Sequence, residues 1–375
     1  MNGRLDAFRA LALATLGALF VNLQPALAPA IARGFGLDTA RLGFVLGLES
    51  ALAILSSAAV VSIARVAGAR ALGVAAIALY IASNVATALS GNILELCIAR
   101  GASGIAEGVM IALAFAALSK SPDAHRLFAA FGVTQFVTAS AAFPLMTWLL
   151  HTVGWHAAFV VLAVVGCAVL LGGVPAISFS IGGRNDAPHD ARIIGLLSIF
   201  VFFVAECAVW PFLANIGTRH GTSDELMGGA LSIGALGGLT GSLFVAALSA
   251  RRSGLVACMA AGALNVIAIF AFTQGSNASH FAVALFAFNF AWAAFAPLQL
   301  SVLKQLGMTP STFALASTAT NAGFAVGPIL GGALLHVRGE NSLIAAGMLG
   351  APLAIALLAF ARPMTPMARN ATGPA

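Results

Sequence analysis

Twelve apolar runs, each about 20 residues long, fill almost all of this 375-residue chain and leave only short polar gaps. A run of that length, coiled as a helix, spans the hydrocarbon layer of a bilayer. Charged residues make up 8% of the chain and hydrophobic ones 60%. A soluble domain carries about 25% charged residues, and no soluble fold could cover this much apolar surface. The bilayer is therefore the solvent. The runs are too long and the gaps too short for a barrel, so an all-α membrane protein is predicted, with every backbone polar group bonded inside its own helix. The spans fall at about 9–32, 42–63, 70–90, 94–118, 127–150, 157–180, 193–215, 226–249, 254–273, 280–303, 311–335 and 342–361.

The basic residues orient these spans. Even-numbered gaps hold Arg65, Arg70, Lys120, Arg126, Arg184, Arg192, Arg251, Arg252 and Lys304, and the termini add Arg4, Arg9, Arg362 and Arg369. The opposite side holds only Arg33, Arg41, Arg219 and Arg338. Thirteen against four places both termini in the cytoplasm by the positive-inside rule. The setting expected is a bacterial inner membrane. Arg4 and Arg9 before an apolar run ending near Ala26–Ala28 imitate a secretory signal, but the run is too long and further spans follow.

The longest polar stretch, Gly182–Arg192, divides the chain into six-span halves at 1–181 and 193–375, with 182–192 as a cytoplasmic linker. Basic gaps recur at matching places, Ala64–Arg70 after span two and Ser249–Gly254 after span eight, as an internal repeat requires. The net charge of +6 is scattered in ones and twos rather than gathered in a stripe, so no nucleic-acid partner is expected. Cys97, Cys167, Cys207 and Cys258 lie inside apolar runs without ligand spacing, so no metal site is expected.

Charge inside the spans is the strongest functional signal. An ionisable group in hydrocarbon costs about 2.5–3.5 kcal/mol on insertion scales unless it is paired or faces water. Arg100 and Glu107 lie two helical turns apart on one face of span four. Glu49 lies in span two and Glu206 in span seven. Arg100, at a depth similar to Glu49, is a partner for it, so Glu49 either titrates or is held in a structural pair. Glu206 has no basic residue near it in its own span and is the first candidate for a proton carrier, with Glu107 second. Small residues form close-packing seams: Gly101, Gly104 and Gly108 in span four, and Gly323, Gly327, Gly331 and Gly332 in span eleven. Pro328 removes a backbone donor within the second seam, where a bend is expected.

These motifs carry a resemblance. Arg100, Gly104, Glu107 and Gly108 match an Arg-x-x-x-Gly-x-Gly-x-Gly pattern with Ala106 replacing one glycine, and Asn321–Gly332 (NAGFAVGPILGG) holds a Gly-Pro-x-x-Gly-Gly motif. With Gly154–Phe159 (GWHAAF) before span six, the whole chain resembles the major facilitator superfamily of secondary transporters. Two features depart from that pattern. The gap after span two keeps Gly68 and Arg70 but lacks the family's acidic residue, and span five keeps only Pro144 of the antiporter motif.

The resemblance implies alternating access by two six-helix halves, with spans one, four, seven and ten around a central cavity. On those spans lie Arg100, Asn22 and Gln24, Phe203 and Trp210, and Asn289, Trp292 and Gln299, which become the candidate substrate contacts. Gly104, Gly108, Gly323, Gly327, Pro328 and Gly331 become candidates for gating or packing. No nucleotide loop or nucleophile–base pair is present, so an ion gradient rather than a cofactor is expected to supply the energy, and no enzymatic activity is expected. The leading expectation is a monomeric, proton-coupled exporter of a small amphipathic compound. Uptake of an organic anion gripped by Arg100 is the alternative. A non-transporting receptor is a third class, and it lacks any visible output domain.

Overall fold

In the bilayer a backbone N–H or C=O without a partner costs several kcal/mol, so each apolar run closes its bonds locally as a helix. The computed structural model describes residues 3–119, 121, 124–175, 189–248, 254–275, 277–305 and 310–361. Its helices are α1 (Gly3–Phe35), α2 (Thr39–Ala67), α3 (Ala69–Leu89), α4 (Ile93–Leu118), α5 (Ala124–Thr152), α6 (Trp155–Gly172) and α7 (His189–Val209). After a 3-10 turn at Trp210–Phe212 come α8 (Leu213–Arg219), α9 (Asp224–Ala247), α10 (Leu255–Ala271), α11 (Ala278–Gln305), α12 (Pro310–Arg338) and α13 (Glu340–Ala361).

Each predicted span has its helix, with three differences. Span seven is not one continuous helix: it runs Ile193–Arg219 but is broken at Trp210–Phe212, where Pro211 has no N–H to give the preceding turn. The predicted 157–180 span is shorter, because α6 stops at Gly172 and Gly173 takes a positive φ of 85°. The linker predicted over 182–192 gives way to helix at His189, and residues 182–188 lie outside the described residues. Among the described residues, 11 helices are long and apolar enough to cross a membrane. The ninth predicted span, α10, is apolar but has only 17 residues, about 25 Å of helix against the 30 Å of a typical hydrocarbon core.

Polar side chains at the helix starts finish the backbone bonding. Asp38 accepts the Arg41 N–H at 2.8 Å ahead of α2, and this bond holds its carboxyl below the usual carboxylate range. At the start of α4, Asn92 Oδ1 accepts from Glu95 N at 3.0 Å, while Glu95 reaches back to Gly91 N at 2.7 Å. A single residue, Gly68 at φ 80°, reverses the chain between α2 and α3. Only glycine adopts that backbone cheaply. Gly68→Ala is expected to lower the unfolding temperature, at a cost of about 1–2 kcal/mol. Gly132→Ala, in open space on α5, should leave it level or raise it. Thermal unfolding in one detergent checks both.

The first six helices pack on one another, as do α7–α13. Within the first set α4 lies against α2, and added Cβ atoms at Gly104 and Gly108 would strike the Glu49 and Ala53 carbonyls. Within the second, Gly323, Gly327 and Gly331 of α12 sit against Phe203, Cys207 and Ala208 of α7. The sets meet chiefly along α2–α12 and α5–α9. Gly43 packs onto the Pro328 carbonyl, Thr39 Oγ1 donates to Gly332 O at 3.1 Å, and Ser140 and Ser232 exchange hydrogen bonds between hydroxyls and backbone. The α2–α12 contacts join the start of α2 to the C-terminal half of α12. They close the end of the bundle opposite the chain termini, called here the distal end.

Candidate functional site

Three groupings of membrane-embedded polar residues stand out, two sealed and one open. The first is a cluster around Arg100, which is fully buried. Its Nε donates to Glu49 Oε2 at 3.1 Å and its Nη2 to Glu49 Oε1, a two-pronged grip on one carboxylate. Nη1 donates to Asn84 Oδ1 of α3 at 3.3 Å. Glu107 Oε1 lies 3.7 Å from Nη2 and accepts from Ser103 Oγ at 2.9 Å. The guanidinium lies 3.8 Å from the centre of the Phe20 ring and 5.4 Å from that of Phe159. Five helices, α1, α2, α3, α4 and α6, thus converge on one cation. Two carboxyls face that cation, so the set is electrically balanced when one of them carries a proton.

The second place is Glu206 on α7. It is fully buried, and neither carboxyl oxygen has a hydrogen-bond partner among the described residues. Asn265 of α10 faces it, with its own amide likewise unbonded. A charge at such a position in hydrocarbon is costly unless it is paired, and for this reason an embedded acid marks a candidate proton site.

The third place is a cavity of about 270 Å³ between the two sets. The first set contributes Val21, Asn22, Gln135, Phe136, Ala139 and Phe143. The second contributes Phe203, Trp210, Ala235, Ser242, Asn289, Trp292, Ala293, Ala296, Pro297 and Phe324. Its far wall is an aromatic cluster: Trp210 and Trp292 meet edge to face at 5.6 Å, and Phe203 lies 6.2 Å from Trp292 and 5.7 Å from Phe324. Facing it, Asn22 Nδ2 donates to Gln135 Oε1 at 3.0 Å. No charged side chain lines this cavity among the described residues.

A pocket with apolar walls and a few fixed polar groups between helices is the form of a small-molecule site. The family model described as Major Facilitator Superfamily matches residues 10–306. The chain belongs to the Major Facilitator Superfamily. A crystal structure of a bacterial homologue of the human lysosomal transporter Spinster, in an inward-facing and unoccupied conformation, has a similar fold. The TM-score is 0.61 at 14% identity, over 96% of this chain and 95% of that one. No curated protein matches this chain in sequence. The protein is thus a multi-pass membrane transporter of this superfamily.

The cavity takes up five of the candidate substrate contacts: Asn22, Phe203, Trp210, Asn289 and Trp292. Three lie elsewhere. Arg100 is locked in its cluster on α4, a helix that lends no residue to the lining. Gln299 donates to Ser198 Oγ at 3.1 Å, and Gln24 is 2% exposed and away from the lining. Glu206 is flanked along span seven by Phe203 and Trp210 but lies behind them, toward α10. Gln135, Phe136 and Phe143 of α5 and Phe324 of α12 line the cavity without having been singled out in the sequence. Gln135 carried a usable signal, an amide inside an apolar span like Asn22.

Proposed function

We propose that this transporter exports a small amphipathic compound, uncharged or a delocalised cation, in exchange for protons. In this reading it works as a monomer in a bacterial inner membrane with both termini cytoplasmic. Two six-span halves, with α10 as one of the crossings, rock about the cavity in alternating access. The observation that carries the reading is the cavity lining, which among the described residues is aromatic with four amide or hydroxyl side chains and no charge. Aromatic faces hold flat apolar groups and attract diffuse cations, each contact being worth about 0.5–2 kcal/mol. Uptake of an organic anion lacks support, because among the described residues no basic side chain lines the cavity and three donor nitrogens of Arg100 are engaged by Glu49 and Asn84.

Glu206 is the proposed proton carrier and Glu107 the second candidate, while Glu49, gripped by Arg100, is assigned to the structural pair. The test uses proteoliposomes with an imposed proton gradient and a panel of lipophilic cations and neutral amphiphiles, first screened by thermal stabilisation. A compound that stabilises the protein should accumulate against its gradient in the wild type. Glu206→Gln should remain folded and still exchange substrate at equilibrium, but lose gradient-driven accumulation by roughly tenfold or more, as expected when an embedded proton site is removed. Undiminished accumulation in Glu206→Gln would remove the residue from coupling. Stabilisation by small carboxylates alone would reject the export reading.

A further inference from the structure

A second, smaller cavity lies beyond the first toward the distal end. It measures about 160 Å³ and is bordered by Ala26, Pro29, Arg33, Thr147, Asn215 and Asp224, among others. The helices that line the central cavity continue past it. On α1 the lining passes from Asn22 to Ala26, on α5 from Phe143 to Thr147, and on span seven from Trp210 to Ala214. Each step is one helical turn, so the two cavities are successive chambers separated by a single layer of side chains.

A hydrogen bond crosses this layer between the two helix sets. The Trp210 indole Nε1 donates to the backbone carbonyl of Val21 at 2.8 Å. Inside a regular helix that carbonyl would accept from the N–H four residues on, which here belongs to Pro25 and does not exist. A proline on α1 leaves one carbonyl open, and the break in span seven at Trp210–Phe212 carries the indole to it. The same ring forms part of the aromatic wall of the central cavity.

We propose that Trp210 is the gate between the central cavity and the distal chamber, latched to the Val21 carbonyl that Pro25 leaves free. Opening the distal side separates α1 from span seven and must break this bond. The ring then leaves the passage and the two chambers join. The proposal rests on reading the central cavity as the substrate chamber, but the latch acts whether or not a substrate is present.

The experiment reads accessibility, not transport. The four native cysteines are replaced by alanine and Ala235, on the central cavity, by cysteine. A membrane-impermeant thiol reagent is added from the distal face of oriented vesicles. Trp210→Phe keeps a ring but loses the donor. Pro25→Ala keeps Trp210 but gives Val21 an intrahelical donor that competes for the carbonyl. Each should speed labelling about two- to tenfold, the weight of one net hydrogen bond. The double variant should be no faster than the quicker single one, because both break the same bond. Pro352→Ala, on α13 and in the lining of neither chamber, adds no donor that competes for the Val21 carbonyl and should label at the parental rate. Thermal unfolding of each variant checks that the fold persists.

If Trp210→Phe and Pro25→Ala label at the parental rate, the gate is wrong even if a compound is transported. Additive rates in the double variant would equally separate Pro25 from the latch and overturn the proposal. If labelling responds as expected while no compound on the panel binds, the gate stands and the substrate reading fails.

Discussion

Arg100→Ala is expected to leave little folded protein in the membrane. The guanidinium lies between two buried carboxyls, bonded to Glu49 and Asn84 and 3.7 Å from Glu107. Removing it strands both acids in a space lined by Phe20 and Phe159 and unties five helices at once. Breaking a buried pair from one side costs about 3–5 kcal/mol, a large part of the stability of an ordinary domain. The acid side should behave differently. Glu49→Gln still leaves Glu107 to balance Arg100, so its loss should be clearly smaller. An Arg100→Met, Glu49→Met double variant should be more stable than Arg100→Met alone, since replacing both partners of a buried pair is often near neutral. Folded yield in the membrane and thermal unfolding in detergent, compared across the four variants, read these effects. Equal losses for Arg100→Ala and Glu49→Gln would show that charge balance is not what the cluster supplies.

The second large effect separates two kinds of glycine. Gly104 lies within one helix set, and an added Cβ would strike the Glu49 carbonyl, a backbone atom that cannot turn aside. Gly104→Val should therefore destabilise the fold outright, by about 1–3 kcal/mol or more. Gly43 lies between the sets, against the Pro328 carbonyl and Gly332. Gly43→Val should lower the unfolding temperature less, because the sets can part instead. The cost then falls on the distal-closed arrangement, and a cysteine at Ala235 should become more reactive from the distal face. If Gly43→Val loses as much stability as Gly104→Val and gains no reactivity, the α2–α12 seam is a fixed packing contact and not one that opens.

The sequence resolved some levels of this molecule well and others poorly, and the residues show why. Span positions and order were legible because a bilayer demands long apolar helices whatever their neighbours are. Pairing of Arg100 with an acid was foreseeable for the same reason, since neither charge can stay alone in hydrocarbon. The break at Trp210–Phe212 had its cue in Pro211. Gln299 and Gln24 look on paper like Asn22 and Asn289, yet only the latter two reach the cavity. Periodicity tells which residues share a face of a helix, but not what that face meets. An amide satisfied by a neighbouring hydroxyl, as Gln299 is by Ser198, cannot be told from one awaiting a ligand.

What the sequence determined by itself is therefore what the solvent enforces: an all-helical membrane chain, its family motifs, and buried charges that must find partners. Tertiary structure alone decided which partners those are. It sealed Arg100 away from the cavity, brought Gln135, Phe136 and Phe324 into it, and carried the Trp210 indole 189 residues along the chain to the carbonyl of Val21. Such contacts depend on the relative rotation and depth of packed helices. Those are set by small residues such as Gly43 and Gly331 meeting a neighbouring backbone, a match between two surfaces that neither stretch of sequence holds alone.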